Sequence, residues 1–381
     1  MTYEARRAME SRLPRAGIII IGAIVAILAV TGGAFVLAGA NPLDAYFAYF
    51  VQPLTREFTL LEALNSATPL LFAGTAVAIA FRAGYWNIGV EGQLLMGAVA
   101  AAGVGQLAEG WPTLLVLPVM IGAGALAGAA WALVPALLRV RLGIDEVVTT
   151  LLLNPVALLL VNALLRGPWT DPETGFPESP RIAESAEFPR LSDFLPFLGR
   201  SRLHLGFVIA VVIIVVSWWV LSRTGTGLRV RAVGLSPHGA RFAGIKVDRT
   251  LLRIALISGA VAGIAGVSEV AGIQFRLTSG LSPGYGYTGI VVAMLGGLAM
   301  PGVLIAGLLL GDLSVGASSA VRSLQIPSQL GAVVQGTLLL VVIGAVALYR
   351  ARASRDEEPP PDEREPPPDE PSGLPPAEGP P

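Results

Sequence analysis

Long apolar runs broken by short polar stretches set the pattern of this chain. The first run extends from Gly17 to about Ala40. That exceeds the ~20 helical residues needed to cross a ~30 Å hydrocarbon core. It also exceeds the roughly 7–15-residue apolar region of a cleavable signal peptide, so it is expected to stay as a first span, although Ala38-Gly39-Ala40 imitates a cleavage site. Further runs cover about Ala67 to Phe81, a stretch ending near Gln106, about Leu114 to Leu138, and one opened by Asp145 and Glu146. In the second half they cover Leu205 to about Leu221, Leu251 to about Gly272, Gly289 to Met300, Gly302 to about Ala317, and about Leu330 to Leu348. The expectation is an all-α, polytopic transmembrane helix bundle of about ten spans. Broken or re-entrant segments are expected around 81–93 and 288–302, where glycine or proline interrupts a short apolar run.

The polar stretches refine this picture. NPLDAYFAYFVQPL, from Asn41, carries Tyr46, Phe47, Tyr49 and Phe50 and suits a helix lying at the membrane interface. GAGALAGAA, from Gly122, offers small residues for close helix approach. Asn154-Pro155 predicts a kink inside the fifth span. Arg6, Arg7, Arg12 and Arg15 precede the first span, and Arg350, Arg352 and Arg355 follow the last, so both termini read as cytoplasmic. Residues 165–204 form the longest polar loop before the tail, expected outside and solvated, with docking of a substrate-delivering partner as its functional alternative. Residues 222–250 are the most basic loop, with Arg223, Arg229, Arg231, Arg241, Lys246 and Arg249 against Asp248 alone. Within it, Ser236-Pro237 predicts a short helix capped by serine, with proline in its first turn and Gly244 past its end. The domain plan is a cytoplasmic segment 1–16, a membrane domain 17–350, and a proline- and acid-rich disordered tail 351–381.

Composition narrows the class. The 381 residues are 53% hydrophobic and 14% charged, with mean hydropathy +0.67. A soluble domain of this size needs more charge on its surface. There is no cysteine, which excludes disulfides, thiolate metal sites and thiol nucleophiles. His204 and His238 are far apart, and neither a metal site nor a cofactor is expected. No catalytic motif occurs at membrane depth, so an intramembrane enzyme is disfavoured. The single lysine, Lys246, follows Ile245, so the Gly-Lys-[Ser/Thr] of a phosphate-binding loop is absent. If ATP drives this protein, another chain hydrolyses it.

The stretch FRAGYWNIGVEGQLLMGAVAA, from Phe81 to Ala101, concentrates the polar groups. Charged and amide side chains at membrane depth are costly and tend to face a bundle interior or a transport path. Asn87-Ile88-Gly89-Val90-Glu91-Gly92-Gln93, followed by Gly97-Ala98, resembles the permease subunits of bacterial ABC importers. The likeness is to their nucleoside and simple-sugar branch, related to ribose and branched-chain amino-acid permeases. Gly234, Pro237, Ala240, Arg241, Ala243, Gly244 and Ile245 are similar to the cytoplasmic coupling helix of that branch, while Leu235 and His238 depart from it. The resemblance covers roughly 17–350. It implies an inner-membrane importer of nucleosides, with simple sugars second and branched-chain amino acids third. The implied partners are a cytoplasmic ABC ATPase, a second homologous permease chain, an extracellular substrate-binding lipoprotein and membrane lipid, with no nucleic acid.

For the substrate pathway, Asn87, Glu91, Gln93, Gln274, Tyr285 and Tyr287 are the candidates. Amides and a carboxylate can pair with base or ribose groups, and aromatic faces can stack on a base. Structural packing is an equal reading for each, and Glu91 is a possible partner of Arg82. The competing functional class is an ion-coupled secondary transporter using Glu91, Glu269 and Asp312.

Overall fold

The computed structural model describes residues 3–348, except 56, 200, 335, 338, 339, 342, 343, 346 and 347. The tail 351–381 and the arginines at 350, 352 and 355 lie outside the described residues. Two compact units are present, residues 1–27 with 340–381, and residues 28–339. The packing described below is that of the second. The described residues are helical, with no strand among them and two isolated bridges, Glu178 with Thr278 and Arg190 with His204.

The order begins with α1 (Tyr3–Leu37), then α2 (Pro42–Tyr46), a π-helical turn (Phe47–Val51) and α3 (Gln52–Thr55). The long helices α4 (Glu57–Arg82), α5 (Val90–Gln106), α6 (Thr113–Leu142) and α7 (Glu146–Leu165) follow. After the polar loop come α8 (Leu205–Arg223), α9 (Gly225–Leu235), α10 (Pro237–Phe242) and α11 (Val247–Glu269), which runs on into a π-helical turn (Val270–Gln274). The last two are α12 (Tyr285–Leu295) and α13 (Met300–Leu324). Six helices are long and apolar enough to cross a membrane, or seven if the pair Ile21–Leu37 and Pro42–Thr55, bent by 115°, is one span. The expected ten therefore shrink among the described residues. The third expected span, α5, has 17 residues, the eighth, α12, has 11, and the tenth is only partly described.

The core is built around α4, in which every residue from Ala67 to Phe81 is buried. It packs against α11, α12 and α13. A run buried on all sides suits a helix enclosed by others. In contrast, α7 and α8 keep apolar faces open, with Leu152, Leu159, Val212 and Val216 exposed. Where α6 crosses α11, glycines bring the backbones together. A Cβ on Gly128 would lie 2.2 Å from the Gly259 carbonyl oxygen, and one on Gly263 would lie 2.1 Å from that of Gly124. Two of the glycines in GAGALAGAA thus serve the close approach expected of them.

At 11 residues, α12 is about 16 Å long, half a hydrocarbon core. Val292 on α12 and Val303 on α13 both meet Gly74, eight residues or ~12 Å before the end of α4. The 288–302 region is therefore a short helix that turns back inside the bundle. In the segment after α1, Ala45, Ala48 and Tyr49 are buried while Leu43, Phe47 and Leu54 are exposed, so apolar side chains lie on both faces.

The 165–204 loop differs from the expected solvated loop. Ser179, Ile182, Ala183 and Phe188 donate backbone hydrogen bonds to Leu277, Phe275, Gly105 and Ala271 in turn, at 2.8–2.9 Å. Ile182, Ala186, Phe188 and Leu203 are buried beneath it. Arg276 pairs with Glu178 and, at 3.7 Å, with Asp171. The loop is strapped over the ends of α5 and α11, which requires these apolar residues to face inward.

Candidate functional site

The site starts where α4 stops. Gly84 adopts φ +74, a conformation that the missing Cβ permits. The chain then runs without helix to Gly89 and restarts as α5. Backbone groups freed by a break at membrane depth need partners from the protein. One face of α7 supplies them through Glu146, Thr150 and Asn154, four residues apart and all buried. The Trp86 N–H donates to the Glu146 carboxylate at 3.4 Å, and the Ile88 N–H to the Thr150 hydroxyl at 3.2 Å. Asn154 accepts from the Gly92 N–H and donates to the Ile88 carbonyl, both at 2.9 Å. Glu146 is held in turn by Arg139 at 3.0 Å. Asp145, beside it, caps α7 by accepting from the Val147 N–H at 2.7 Å.

Asn87 and Gln93 close the break from the other side. Their amides exchange hydrogen bonds at 2.9 and 3.0 Å, and Asn87 also donates to the Ser258 hydroxyl at 2.8 Å. Ser258 passes the link to the Ala76 carbonyl of α4 at 2.7 Å. The buried pair thus joins α4, α5 and α11 across the break. A buried network with its members satisfied rigidifies a core.

Glu91 does not meet Arg82. Its carboxylate accepts from the Gly286 N–H at 2.7 Å, on the first turn of α12. The N-cap residue of α12, Gly284, has no side chain to offer, so a carboxylate from α5 answers the positive end of this helix. Tyr285 is half-buried there, within electrostatic reach of Glu91 and Glu269. Tyr287 is exposed. Glu269, on the last turn of α11, is buried without a hydrogen-bond or ion-pair partner among the described residues. Gln274 ends the π-helical turn, half-buried and not bonded to the other candidates. The Trp131 indole N–H, next to Gly92, is buried and has no hydrogen-bond partner among the described residues.

The six candidates therefore fall into a bonded amide pair, a carboxylate with two tyrosines around the α12 N-terminus, and Gln274 apart from both. Sequence reasoning missed Glu146, Thr150 and Asn154 as partners of the break, and Ser258 and Trp131 beside it. The i, i+4, i+8 spacing of polar residues in an apolar span was the available signal.

At the basic end of the bundle, α10 has the local structure its sequence predicts. The Ser236 hydroxyl accepts from the Gly239 N–H at 3.1 Å, Pro237 opens the helix, and Gly244 follows it at φ +78. Leu235, just before it, and Phe242, its last residue, are 87% and 97% exposed. Gly234 touches the C-terminal end of α4, where a Cβ would lie 2.2 Å from the Arg82 carbonyl oxygen.

The family described as branched-chain amino acid transport system / permease component matches residues 59–343. The chain belongs to this family. The glucose ABC transporter permease protein TsgB13 of Haloferax volcanii is 38% identical over 86% of this chain and 87% of its own. The guanosine ABC transporter permease protein NupP of Bacillus subtilis is 34% identical over 87% of this chain and 94% of its own. The nucleoside ABC transporter permease protein NupB of Lactococcus lactis is 29% identical over 84% of this chain and 90% of its own. A solved inward-facing ABC transporter of metal-chelate type aligns at 17% identity over 90% of this chain and 99% of its own, with TM-score 0.36, too low to carry an argument.

The permease is thus a multi-pass membrane protein of an ABC transporter, and its ATP is hydrolysed by a separate ATPase chain. Permeases of this family work with an ATPase and a substrate-binding partner. The ion-coupled alternative built on Glu91, Glu269 and Asp312 is set aside by the family match.

Proposed function

We propose that this permease imports nucleosides across a bacterial inner membrane, receiving them from an extracellular binding lipoprotein. The observation that carries the reading is the polar interior at the break, together with the likeness to guanosine and nucleoside permeases. Glu91, Tyr285, Tyr287 and Gln274 line the substrate path, with aromatic faces for a base and polar groups for ribose. Asn87 and Gln93 brace that wall from beneath, and the free Trp131 N–H adds a donor beside it.

A second homologous permease chain completes the pathway. The ATPase docks on α10 and its flanks, at Gly234, Pro237, Ala240, Arg241, Ala243, Gly244 and Ile245. Leu235 and Phe242 supply the apolar anchors there. The basic end is cytoplasmic, as an excess of arginine demands. Simple sugars are the second reading, favoured by the identity to the glucose permease.

The test is a pull-down of the tagged chain from its native membrane, followed by an ATPase assay of the recovered complex. Stimulation by a nucleoside-loaded lipoprotein supports the reading. Stimulation by glucose alone moves the substrate to the sugars. Recovery of a chain that transports in liposomes without an ATPase removes the importer mechanism.

A further inference from the structure

A cleft of about 400 Å3 opens between α9, the turn that follows α10 and the start of α11. Arg229, Lys246, Arg249 and Arg253 line it, with residues 243–245 at its edge and no carboxylate in its wall. All four cations are exposed, and none has an ion-pair partner among the described residues. The nearby Asp248 faces Arg241 instead, at 3.4 Å. Lys246 is also the N-cap residue of α11, so the positive end of a 23-residue helix adds to the same field. Four like charges held in one cleft repel each other unless an anion sits between them.

The position of the cleft along the bundle identifies the anion. Arg249, Arg253 and Ile257 are spaced four apart on one exposed face of α11. Along that face the cations give way to the exposed side chain of Ile257 within one turn. Trp218 and Trp219 are exposed on the last turns of α8, and Arg223 lies 6.0 Å over the Trp218 ring. Leu228 is exposed next to Arg229. Tryptophans and cations side by side at the end of apolar helices mark the headgroup level. Basic pockets at this level on the cytoplasmic side suit acidic lipid headgroups.

We propose that this cleft seats the phosphate of an anionic phospholipid headgroup, with the acyl chains lying against the Ile257 face of α11. The site is independent of the importer's substrate. It borders α10, so an occupied cleft fixes the base on which that helix stands.

The purified full-length chain is incubated with phosphatidylglycerol or phosphatidylcholine, and the lipid retained is counted by native mass spectrometry. The expected result is selective retention of phosphatidylglycerol. Each cation is worth about 1 kcal/mol near such a surface, or about fivefold. Replacing two, as Arg249→Gln with Arg253→Gln, should therefore weaken phosphatidylglycerol retention by about 25-fold, whereas Arg249→Lys with Arg253→Lys should keep it. Arg202→Gln, at the other end of the bundle, should match the wild type. In the wild type alone, raising salt from about 0.01 M to 1 M shortens screening from about 30 Å to 3 Å and should release phosphatidylglycerol. Salt-independent retention, or equal retention of both lipids, overturns the proposal. Displacement of the lipid by millimolar inorganic phosphate reassigns the cleft to a free anion. Glutamine variants that keep the lipid but lose a co-purifying ATPase make it a protein dock, and that too overturns the proposal.

Discussion

Gly263→Ala should loosen the crossing of α6 and α11, and its cost follows from the distances. The new Cβ would lie 2.1 Å from the Gly124 carbonyl oxygen, about 1.3 Å short of the 3.4 Å of ordinary contact. The neighbour is backbone and cannot swing aside, so the two helices must part. Separations of even 0.5–1 Å forfeit about a quarter to a half of each dispersion contact lining the gap. Overpacking of this kind costs about 1–3 kcal/mol. Alanine recovers up to about 1 kcal/mol through helix propensity. The net expectation is destabilisation by about 1–2 kcal/mol. Gly122→Ala, on α6 where nothing lies within 4 Å, should gain the propensity and lose nothing. The two variants should then differ by about 2 kcal/mol, close to a 30-fold change in the folded-to-unfolded ratio. Unfolding of the purified chains in the same lipid–detergent mixture measures this. Equal stability of Gly263→Ala and Gly122→Ala would refute the close crossing.

Three further outcomes are expected. Asn154→Leu strips partners from the Ile88 carbonyl and the Gly92 N–H, each costing about 1–3 kcal/mol when left buried and unpaired; an unfolding midpoint within error of wild type removes Asn154 as the brace of the break. Gly234→Ala sets a Cβ 2.2 Å from the Arg82 carbonyl oxygen, and a displacement worth about 1.4 kcal/mol lowers uptake on the order of tenfold. Uptake at wild-type level would disconnect α10 from the C-terminal end of α4. His204, buried at the start of α8, has its imidazole pushed down to about 4 from 6.5 by burial. The unfolded chain binds this proton through that window while the folded one does not, so stability is held above about pH 6.5 and lost as pH falls toward 4. In His204→Gln the fall should flatten, and an unchanged pH profile would assign the acid sensitivity to other groups.

Much of the fold is legible because membrane helices announce themselves by length and apolarity. The runs at 67–81, 114–138 and 251–272 are all found inside longer helices. The short helix at 237–242 is equally legible, since a serine cap, a proline at the first turn and a following glycine are local chemistry. Span count is less so, because α12 has the composition of a span without its length, and length depends on where the helix turns back against Gly74. The polar loop 165–204 reads as solvated because its apolar residues are spaced by acids and prolines. Only the tertiary hydrogen bonds to Ala271, Phe275 and Leu277 reveal that they face inward.

The partners of the broken stretch were hidden for a related reason. Each is distant in sequence: Asn154 bonds Gly92 across 62 residues, Ser258 bonds Asn87 across 171, and Gly286 bonds Glu91 across 195. Residue type marks that 81–93 needs partners but not which helix brings them. Once the partners are known, a mechanical path follows. Gly234, beside α10, touches the backbone at Arg82. Arg82 leads through Gly84 into the break, whose far side carries Glu91 on the first turn of α5. Glu91 holds the N-terminus of α12, which bears Tyr285 and Tyr287. A shift at the basic end would then reach α12 through backbone contact at Arg82 and the Glu91–Gly286 hydrogen bond. Movement of α10 and opening around α12 should consequently be coupled, and severing the Glu91–Gly286 bond by Glu91→Ala should uncouple them while α10 keeps its cap.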